Sequence, residues 1–212
     1  MLIQCMRTYY CRLYHSAFHL ALWLWLCWAI FGAGAAMSAD SPTGIRLMLD
    51  FRDAAVAREW TSVDDRVMGG VSASRVVATP EGLEFSGVVS LAHNGGFASI
   101  RARPREYDLA GATALLARVR GDGQTYKLTL RTDETFDGVQ YQARFATPAG
   151  EWIEVVMPVT DFQPTFRGRP VEAPALDPGR IRGFGWLIAD RQAGPFWLVV
   201  ESIRARFRRD EQ

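Results

Sequence analysis

Residues 64–74 read DDRVMGGVSAS and bring two adjacent carboxylates, a guanidinium group and a glycine pair into one short stretch. Adjacent carboxylates could act as the acid and base of a glycosidase or hold a Ca²⁺ ion, and paired glycines could cradle a phosphate. Asp133, Glu134 and Asp137 form a second acidic group. Each of these chemistries has further requirements that the rest of the sequence must meet.

Neither glycine pair in the chain fits a phosphate-binding loop. The segments VMGGVS and NGGFAS match neither G-x-G-x-x-G nor G-x-x-x-x-G-K-[ST], and neither precedes a helical pattern whose N-terminus would hold the anion. Glycine in such places supplies a positive φ or a close backbone approach at strand ends. The sequence therefore predicts neither a nucleotide site nor a cofactor.

Histidine and cysteine are too scarce for the common metal and nucleophile sites. His93 is the only histidine after residue 36, and Cys5, Cys11 and Cys27 all precede that point. Residues 37–212 therefore cannot form a multi-histidine zinc site, a disulfide or a catalytic thiolate. They also lack the G-x-S-x-G elbow that holds a serine nucleophile. We expect His93 to be a polar turn residue, and we expect no metal site and no catalytic residue.

Both acidic groups lie in turn-like sequence. Aspartate is common there because its side chain hydrogen-bonds to nearby backbone amides. The spacing of an EF-hand calcium loop is absent. A structural cation and glycoside hydrolysis stay open as alternatives, but the sequence favours a protein that binds without catalysing a reaction.

The elements that must position these residues are β-strands. Residues 124–132 and 138–146 alternate apolar and polar side chains, as half-buried antiparallel strands do, and Asp137 and Gly138 supply a hairpin turn between them. Only residues 52–60 look helical. Eight further runs with strand character cover residues 45–51, 72–78, 82–89, 96–103, 113–120, 151–158, 183–189 and 196–206.

This pattern predicts an all-β fold, an antiparallel β-sandwich, over a single domain at residues 45–207. A short linker at 37–44 precedes the domain, and a tail at 208–212 follows it. Large apolar side chains at inward-type positions are expected to fill the core. They are Leu83, Phe85, Leu115, Val119, Trp152, Phe184, Trp186, Ile188, Phe196 and Leu198.

Polar side chains occupy the outward positions of the two clearest strands. These positions hold Lys127, Thr129, Arg131, Gln140, Gln142 and Arg144. They form either an ordinary solvated face or the polar floor of a groove that binds a sugar or a protein strand. In a groove, arginine and glutamine would give directional hydrogen bonds.

Residues 1–36 look like a targeting segment. They contain no acidic residue, carry Arg7 and Arg12, and continue into an apolar run that ends in small residues. This layout predicts a hydrophobic helix that serves as a signal peptide or as a membrane anchor, with membrane contact through residues 17–37. The product would be exported to the periplasm or anchored to the inner membrane, whereas translation from Met37 would leave it in the cytoplasm.

The charge balance argues against nucleic acid as a partner. The chain holds 24 Lys and Arg residues against 23 Asp and Glu residues. A balance this close to neutral produces no basic field for a phosphate backbone. We therefore look for a protein or a carbohydrate as the partner.

Five segments in register carry a family resemblance over about residues 47–205. They read WTSVDDRVMGGVSAS, SLAHNGGFASIRAR, RVRGDGQTYKLTLRT, YQARFATPAGEWIEVVMPVTDFQPTFRGRP and GFGWLIADRQAGPFWLVVESIRA. In order and content they resemble the complex I intermediate-associated protein family, the assembly factors of NADH:ubiquinone oxidoreductase and their bacterial relatives. The resemblance implies a galactose-binding-like jelly-roll sandwich and a non-catalytic role in holding respiratory-complex assembly intermediates.

The stretch that opens this section matches a signature segment of that family. We expect a partly buried ion pair between Asp65 and Arg66, with Gly69 and Gly70 allowing a tight approach to the loop at residues 94–96. The residues expected to contact a partner or ligand are Asp65, Arg66, Met68, Gly69, Gly70, Ser72, Asn94, Gly95, Gly96, Arg131, Arg144 and Arg167.

Two kinds of binding protein compete as explanations: an assembly factor that engages a protein partner and a carbohydrate-binding module of the cell envelope. Trp60, Tyr141 and Trp197 distinguish them. A flat pair exposed side by side would favour stacking on sugars, and burial of all three would favour a protein partner. An enzyme would need two carboxylates that face each other across a pocket.

Overall fold

The computed structural model describes residues 44–135 and 137–208, and all of them belong to one unit bounded at Ser41 and Gln212. Over these residues the chain forms thirteen β-strands in two sheets. The strands of the first sheet are β1 (Ile45–Asp50), β3 (Ala73–Thr79), β4 (Gly82–Val89), β6 (Ala112–Gly121), β9 (Trp152–Pro158) and β13 (Gly194–Phe207). Those of the second sheet are β2 (Trp60–Ser62), β5 (Ala98–Ala102), β7 (Thr125–Arg131), β8 (Gln140–Ala146), β10 (Gln163–Phe166), β11 (Arg169–Pro170) and β12 (Gly183–Ile188).

All of the pairings between these strands are antiparallel. The first sheet runs in the order β3-β4-β13-β6-β9, and the second in the order β11-β10-β8-β7-β12-β5-β2. β13 is the longest strand, and it pairs with β6 on one edge and with β4 and then β1 on the other. The predicted all-β antiparallel sandwich is therefore confirmed. The jelly-roll assignment stays a prediction.

The core lies between the two sheets and follows the alternation that the sequence shows. Tyr126, Leu128 and Leu130 on β7 are fully buried. On the same sheet the Phe145 and Trp186 rings meet edge to face at 5.9 Å. Each large apolar side chain contributes about 1.5 to 3 kcal/mol when it is fully buried. The interior therefore holds the sheets together through apolar contact.

Nine of the ten predicted core residues are buried, and the exception is Trp152. Trp152 pairs with Arg120 across β9 and β6, and both side chains lie on the outer face of the first sheet. The Arg120 guanidinium covers the Trp152 ring at 5.1 Å from its centre. The prediction for Trp152 is wrong because the segment EWIEVVMP has apolar residues of both parities, so its alternation does not define the inner face.

The predicted helix at residues 52–60 is much shorter in the structure. α1 covers only Ala54–Ala57, with Asp53 as its N-cap, and Trp60 already belongs to β2. The sequence also missed β10 and β11, which are short and contain Pro164 and Pro170. All ten predicted strand runs are present, with ends that differ by at most about two residues.

The predicted leader lies outside the described residues, as does most of the predicted linker at 37–44. Within residues 44–135 and 137–208, no helix has the length and apolar character that crossing a bilayer requires. The targeting helix at residues 1–36, and the membrane contact at 17–37, therefore stay predictions.

Candidate functional site

A groove runs along the outer face of the second sheet and encloses about 480 Å³. Its floor consists of outward side chains of β5, β7, β8 and β12. One wall is formed by Met68 and the loop at residues 94–97, and the other by the β10–β11 turn at Arg167 and Gly168. The polar face that the sequence indicated is thus the floor of a groove.

Basic side chains dominate this groove. Six of them line it or lie at its edge: Arg101, Lys127, Arg131, Arg144, Arg167 and Arg191. Two acidic side chains lie among them. Asp190 accepts a hydrogen bond from Lys127 at 2.7 Å and lies 3.7 Å from Arg144, and Asp137 pairs with Arg167. The positive charge on this face exceeds the negative charge, so the groove suits an anionic ligand.

Arg101 and Arg131 approach each other across β12, although they lie on strands that are not neighbours. Gly185 of β12 pairs with Arg101 on one side and with Thr129 on the other. A side chain at Gly185 would place its Cβ 2.5 Å from the Thr129 hydroxyl and 3.5 Å from the Arg101 Cγ. Glycine at this outward position of β12 therefore lets the Thr129 and Arg101 side chains approach each other across the strand.

The Gln140 side-chain amide bridges the two guanidinium groups. With its oxygen facing them, Gln140 accepts hydrogen bonds from Nη2 of Arg131 at 3.0 Å and from Nη2 of Arg101 at 3.2 Å. An amide nitrogen at that position would face only donors, so the oxygen belongs there. Burial, together with the charge of Arg131, lowers the pKa of Arg101 to about 10, and burial also lowers the pKa of Arg131.

The wall at residues 64–74 is held by Asp65, whose side chain is buried (1% exposed). Its carboxylate accepts hydrogen bonds from the Ser72 amide at 2.9 Å and the Ser72 hydroxyl at 2.6 Å. Two further donors come from the next loop, the Gly96 amide at 2.8 Å and the Phe97 amide at 3.4 Å. Burial disfavours the charge, but these hydrogen bonds outweigh it and lower the pKa of Asp65.

Asp64 repeats this arrangement one residue earlier. It accepts hydrogen bonds from the Ser74 amide at 2.8 Å and the Ser74 hydroxyl at 2.6 Å, and from the Ser99 amide at 3.2 Å. The two adjacent carboxylates thus bind the serines of the same stretch and join it to β5 and to the loop before it. This acidic pair has a structural role.

Two glycines let the carboxylate of Asp65 reach these donors. A Cβ at Gly70 would lie 2.3 Å from the Asp65 Cγ, and one at Gly95 would lie 2.5 Å from the Asp65 Oδ2. Gly69 acts differently: it has a φ of 90° and ends the 3₁₀ turn Asp65–Met68. The two loops approach closely as predicted, with Gly70 and Gly95 against Asp65, but the prediction that Gly69 also allows this contact is wrong, since a Cβ there would have no neighbour within 4 Å.

The predicted ion pair between Asp65 and Arg66 is wrong. The Arg66 side chain is exposed, while Asp65 points inward to Ser72 and to the loop at residues 94–97. The two side chains diverge because consecutive residues entering a 3₁₀ turn point in different directions. Hydrogen bonds, and not a cation, stabilise the charge of the Asp65 carboxylate, and the spacing of residues in the sequence does not show this.

The structure divides the other predicted site residues into three groups. Those that line the groove are Met68, Asn94, Gly95, Gly96 and Arg167. Arg131 contacts Gln140 and Arg144 lies near Asp190, and both of these partners line the groove. Asp65, Gly70 and Ser72 lie inside the wall and support it. Sequence reasoning missed Arg101. Its signal was the alternation in ASIRA, which places Arg101 on the polar face of a predicted strand.

The three aromatic residues that distinguish the two kinds of binding protein are not exposed as a flat pair. Trp60 and Tyr141 are buried, at 4% and 6% exposure. Trp197 is half-buried on the outer face of the first sheet, where the Arg120 guanidinium lies 5.9 Å from its ring centre. Across residues 44–135 and 137–208, no cluster of three or more His, Cys, Asp and Glu side chains has a metal-binding arrangement.

Known structures share this two-sheet antiparallel sandwich. The family 11 carbohydrate-binding module of a cellulosomal cellulase of Clostridium thermocellum superposes with a TM-score of 0.60 at 15% identity, covering 81% of this chain and 100% of that one. An agarase matches with a TM-score of 0.53 at 12% identity over 78% of this chain and 25% of its own length. At these identities the likeness shows the fold alone.

The chain belongs to the Complex I intermediate-associated protein 30 (CIA30) family, whose sequence model matches residues 49–200. An uncharacterized protein of Schizosaccharomyces pombe is 29% identical over 70% of this chain and 78% of its own length. The mitochondrial Complex I intermediate-associated protein 30 of Drosophila melanogaster is 25% identical over 74% of this chain. This chain spans 61% of the fly protein and 32% of its Mus musculus counterpart. The family resemblance found in the sequence is confirmed.

Proposed function

We propose that this protein is a non-catalytic binding module that holds a protein partner in the groove during assembly of a respiratory-chain complex. Membership of the CIA30 family supports the assembly role, because named relatives are complex I intermediate-associated proteins. The observation that carries the proposal is the groove itself, whose floor presents fixed guanidinium, ammonium and amide groups along one sheet.

The arrangement of the carboxylates supports a binding role over a catalytic one. Asp64 and Asp65 accept hydrogen bonds from serines and backbone amides of the wall and do not face each other across the groove. Asp137 and Asp190 are paired with groove cations. A glycosidase needs two carboxyl groups that flank a bound sugar, one as acid and one as base or nucleophile.

The predicted leader gives the proposed role a location. If residues 1–36 act as a signal peptide or anchor, the sandwich works at the outer face of a respiratory membrane, with residues 17–37 in contact with the bilayer. The named relatives are mitochondrial proteins. Translation from Met37 would instead place the sandwich on the cytoplasmic side of the same membrane.

Affinity capture from the organism's own membranes tests this proposal. The tagged full chain is compared with Gln142→Trp, which fills the groove floor, and with Val77→Trp, which places the same bulk on the outer face of the first sheet. The wild type and Val77→Trp should recover respiratory-complex subunits, as measured by quantitative mass spectrometry. Gln142→Trp should recover about tenfold less because the partner is sterically excluded.

Two outcomes of the capture would contradict the proposal. Failure of the wild-type protein to enrich respiratory-complex subunits would remove the assembly role. Equal recovery by Gln142→Trp, once circular dichroism shows that it is folded, would place the interaction elsewhere on the molecule.

A carbohydrate-binding module is the second candidate, because Gln140 and Gln142 on the floor could hydrogen-bond to sugar hydroxyls. Against it, Trp60 and Tyr141 are buried and Trp197 lies on the other sheet, so none of the three provides a stacking surface in the groove. Affinity electrophoresis in gels that contain mixed-linked β-glucan distinguishes the candidates. We expect unchanged mobility, and retardation that Gln142→Trp abolishes would favour the sugar.

A further inference from the structure

We infer that the groove contains a carboxylate-binding subsite between Arg101 and Arg131, which takes an aspartate or glutamate side chain from an acidic segment of the partner protein. The inference rests on the proposed function, since it specifies the chemistry of the partner that the groove holds. It starts from the position of two guanidinium groups that the β-sheet order brings together.

The two guanidinium groups are close to each other and partly withdrawn from water. Both donate to one oxygen of Gln140, at 3.2 Å from Arg101 and 3.0 Å from Arg131. The residues of β12 that pair with them, Gly185 with Arg101 and Gly183 with Arg131, carry no side chain, and Asn94–Gly96 and Arg167 form the walls. Like charges held this close in a half-buried position repel each other, and an anion between them removes that cost.

Guanidinium groups select for the geometry of a carboxylate. Each presents parallel N–H donors that match the two oxygens, and such charge-assisted hydrogen bonds are shorter and stronger than neutral ones. Burial and the charge of Arg131 lower the pKa of Arg101 to about 10 although Asp137 raises it, so Arg101 stays charged at neutral pH.

The remaining charges favour a segment of protein with several acidic residues. Arg144 and Arg167 lie beyond the central pair with side chains about 60% exposed, although Arg167 is paired with Asp137 and Arg144 lies 3.7 Å from Asp190. Lys127 contributes less because Asp190 lies 2.7 Å from its ammonium group. An extended segment that crosses the strands would therefore meet cations at several points along its length.

Asp137 is a carboxylate of this chain that already lies in the same field. The hydrogen bond from Arg167, and beyond it the charges of Arg131 and Arg101, lower the pKa of Asp137. It belongs to an exposed turn at the mouth of the groove, so it partly neutralises the site that a partner would occupy. Removal of its charge should strengthen binding of an outside carboxylate.

Fluorescence anisotropy with a labelled hexaglutamate peptide tests the subsite on the full chain. At about 50 mM salt, where screening is modest, the wild type should bind it and should not bind hexaglutamine. Arg101→Gln and Arg131→Gln should each weaken binding about tenfold. Asp137→Asn should strengthen it about threefold, and this variant keeps the inference testable if an arginine variant fails to fold.

Arg75→Gln serves as the matched control, because it removes one positive charge from the outer face of the other sheet. A loss in Arg75→Gln as large as that in Arg101→Gln would overturn the subsite and indicate general attraction to net charge. Unchanged binding in both groove variants would also overturn it. So would binding of oligogalacturonate in place of hexaglutamate, since the site would then take an acidic sugar.

The affinity-capture experiment and the peptide-binding experiment distinguish failure of the assembly role from failure of the subsite. Arginine-dependent binding of hexaglutamate without recovery of respiratory-complex subunits would retain the subsite and remove the assembly role. Recovery of those subunits by Arg101→Gln and Arg131→Gln at wild-type levels would retain the assembly role and overturn the subsite.

Discussion

At the scale of single residues, Asp65 explains why a stretch rich in reactive groups does not form a reactive site. Its carboxylate is buried, yet four donors from Ser72, Gly96 and Phe97 replace the water that it gave up. Asp64 is held in the same way by Ser74 and Ser99. Both acids keep the groove wall in place.

Asp65→Asn is expected to destabilise the fold. The amide nitrogen would turn a donor toward the donors of Ser72 or Gly96, and the remaining hydrogen bonds would lose their charge. We expect the free energy of unfolding to fall by about 2 to 4 kcal/mol, as measured by equilibrium denaturation in urea. Asp108→Asn is the control, because that side chain is 82% exposed and its pair with Arg46 contributes about 0 to 1 kcal/mol. Equal stability of the two variants would contradict this role for Asp65.

The same carboxylate should shape the acid sensitivity of the protein. Although burial opposes ionisation, the bonds from Ser72, Gly96 and Phe97 lower the pKa of Asp65 below its ordinary value of 3.8. Its contribution to stability is therefore complete above that value and is lost as the pH falls through the lower folded value. Melting temperatures between about pH 6 and pH 2.5 should fall more steeply for the wild type than for Asp65→Asn. Parallel profiles would show that another group controls acid unfolding.

At the scale of elements, the groove wall depends on two loops that meet through glycine. Gly70 lies against Asp65 from one loop and Gly95 from the other, so neither position has room for a side chain. Gly69 has open space around it but adopts a φ of 90°. Gly70 is therefore required because a side chain would have no space, and Gly69 because of its backbone conformation.

Alanine at these two positions should separate steric crowding from backbone strain. Gly70→Ala should cost about 2 to 3 kcal/mol because its Cβ overlaps Asp65, whereas Gly69→Ala should cost about 1 to 2 kcal/mol for its left-handed backbone. Urea denaturation measures both. In a double-mutant cycle, Asp65→Ala should relieve the cost of Gly70→Ala by more than about 0.5 kcal/mol and leave that of Gly69→Ala unchanged. Absence of this coupling would contradict the proposed contact.

The elements also show how far sequence patterns predict this structure. β7 and β8 were predicted closely because Tyr126 and Phe145 alternate with polar neighbours on strands that have one wet face. The sequence does not predict β2, because three residues are too few to show alternation of apolar and polar side chains, and Trp60 falls within the predicted helix. The meeting of Arg101 with Arg131 could not be predicted, since β12 joins their strands from more than fifty positions further along the chain.

At the scale of the whole molecule, the two sheets share one interior and are also joined by hydrogen bonds. The Tyr126 hydroxyl on β7 donates to the Trp197 carbonyl on β13 at 2.9 Å and lies 2.9 Å from Asp122. The Asp122 carboxylate in turn accepts from the Trp197 amide at 3.0 Å. A disturbance in one sheet is therefore transmitted to the other.

The two sheets should accordingly unfold as a single cooperative unit. We expect one calorimetric transition with a ratio of van't Hoff to calorimetric enthalpy of about 1, and a far-ultraviolet spectrum of β type. Tyr126→Phe should lower the melting temperature while keeping one transition. Two resolved transitions would show that the sheets are separate folding units.

The position of β13 in the chain has a consequence for synthesis on the ribosome. This strand lies at the centre of the first sheet and is translated after β1, β4 and β6, yet all three pair with it. Until residue 207 has left the exit tunnel, those three strands have no common neighbour and their edges stay unpaired. A ribosome that stalls before Gly194 therefore leaves a product whose first sheet lacks its central strand, and whose unpaired strand edges are exposed to aggregation.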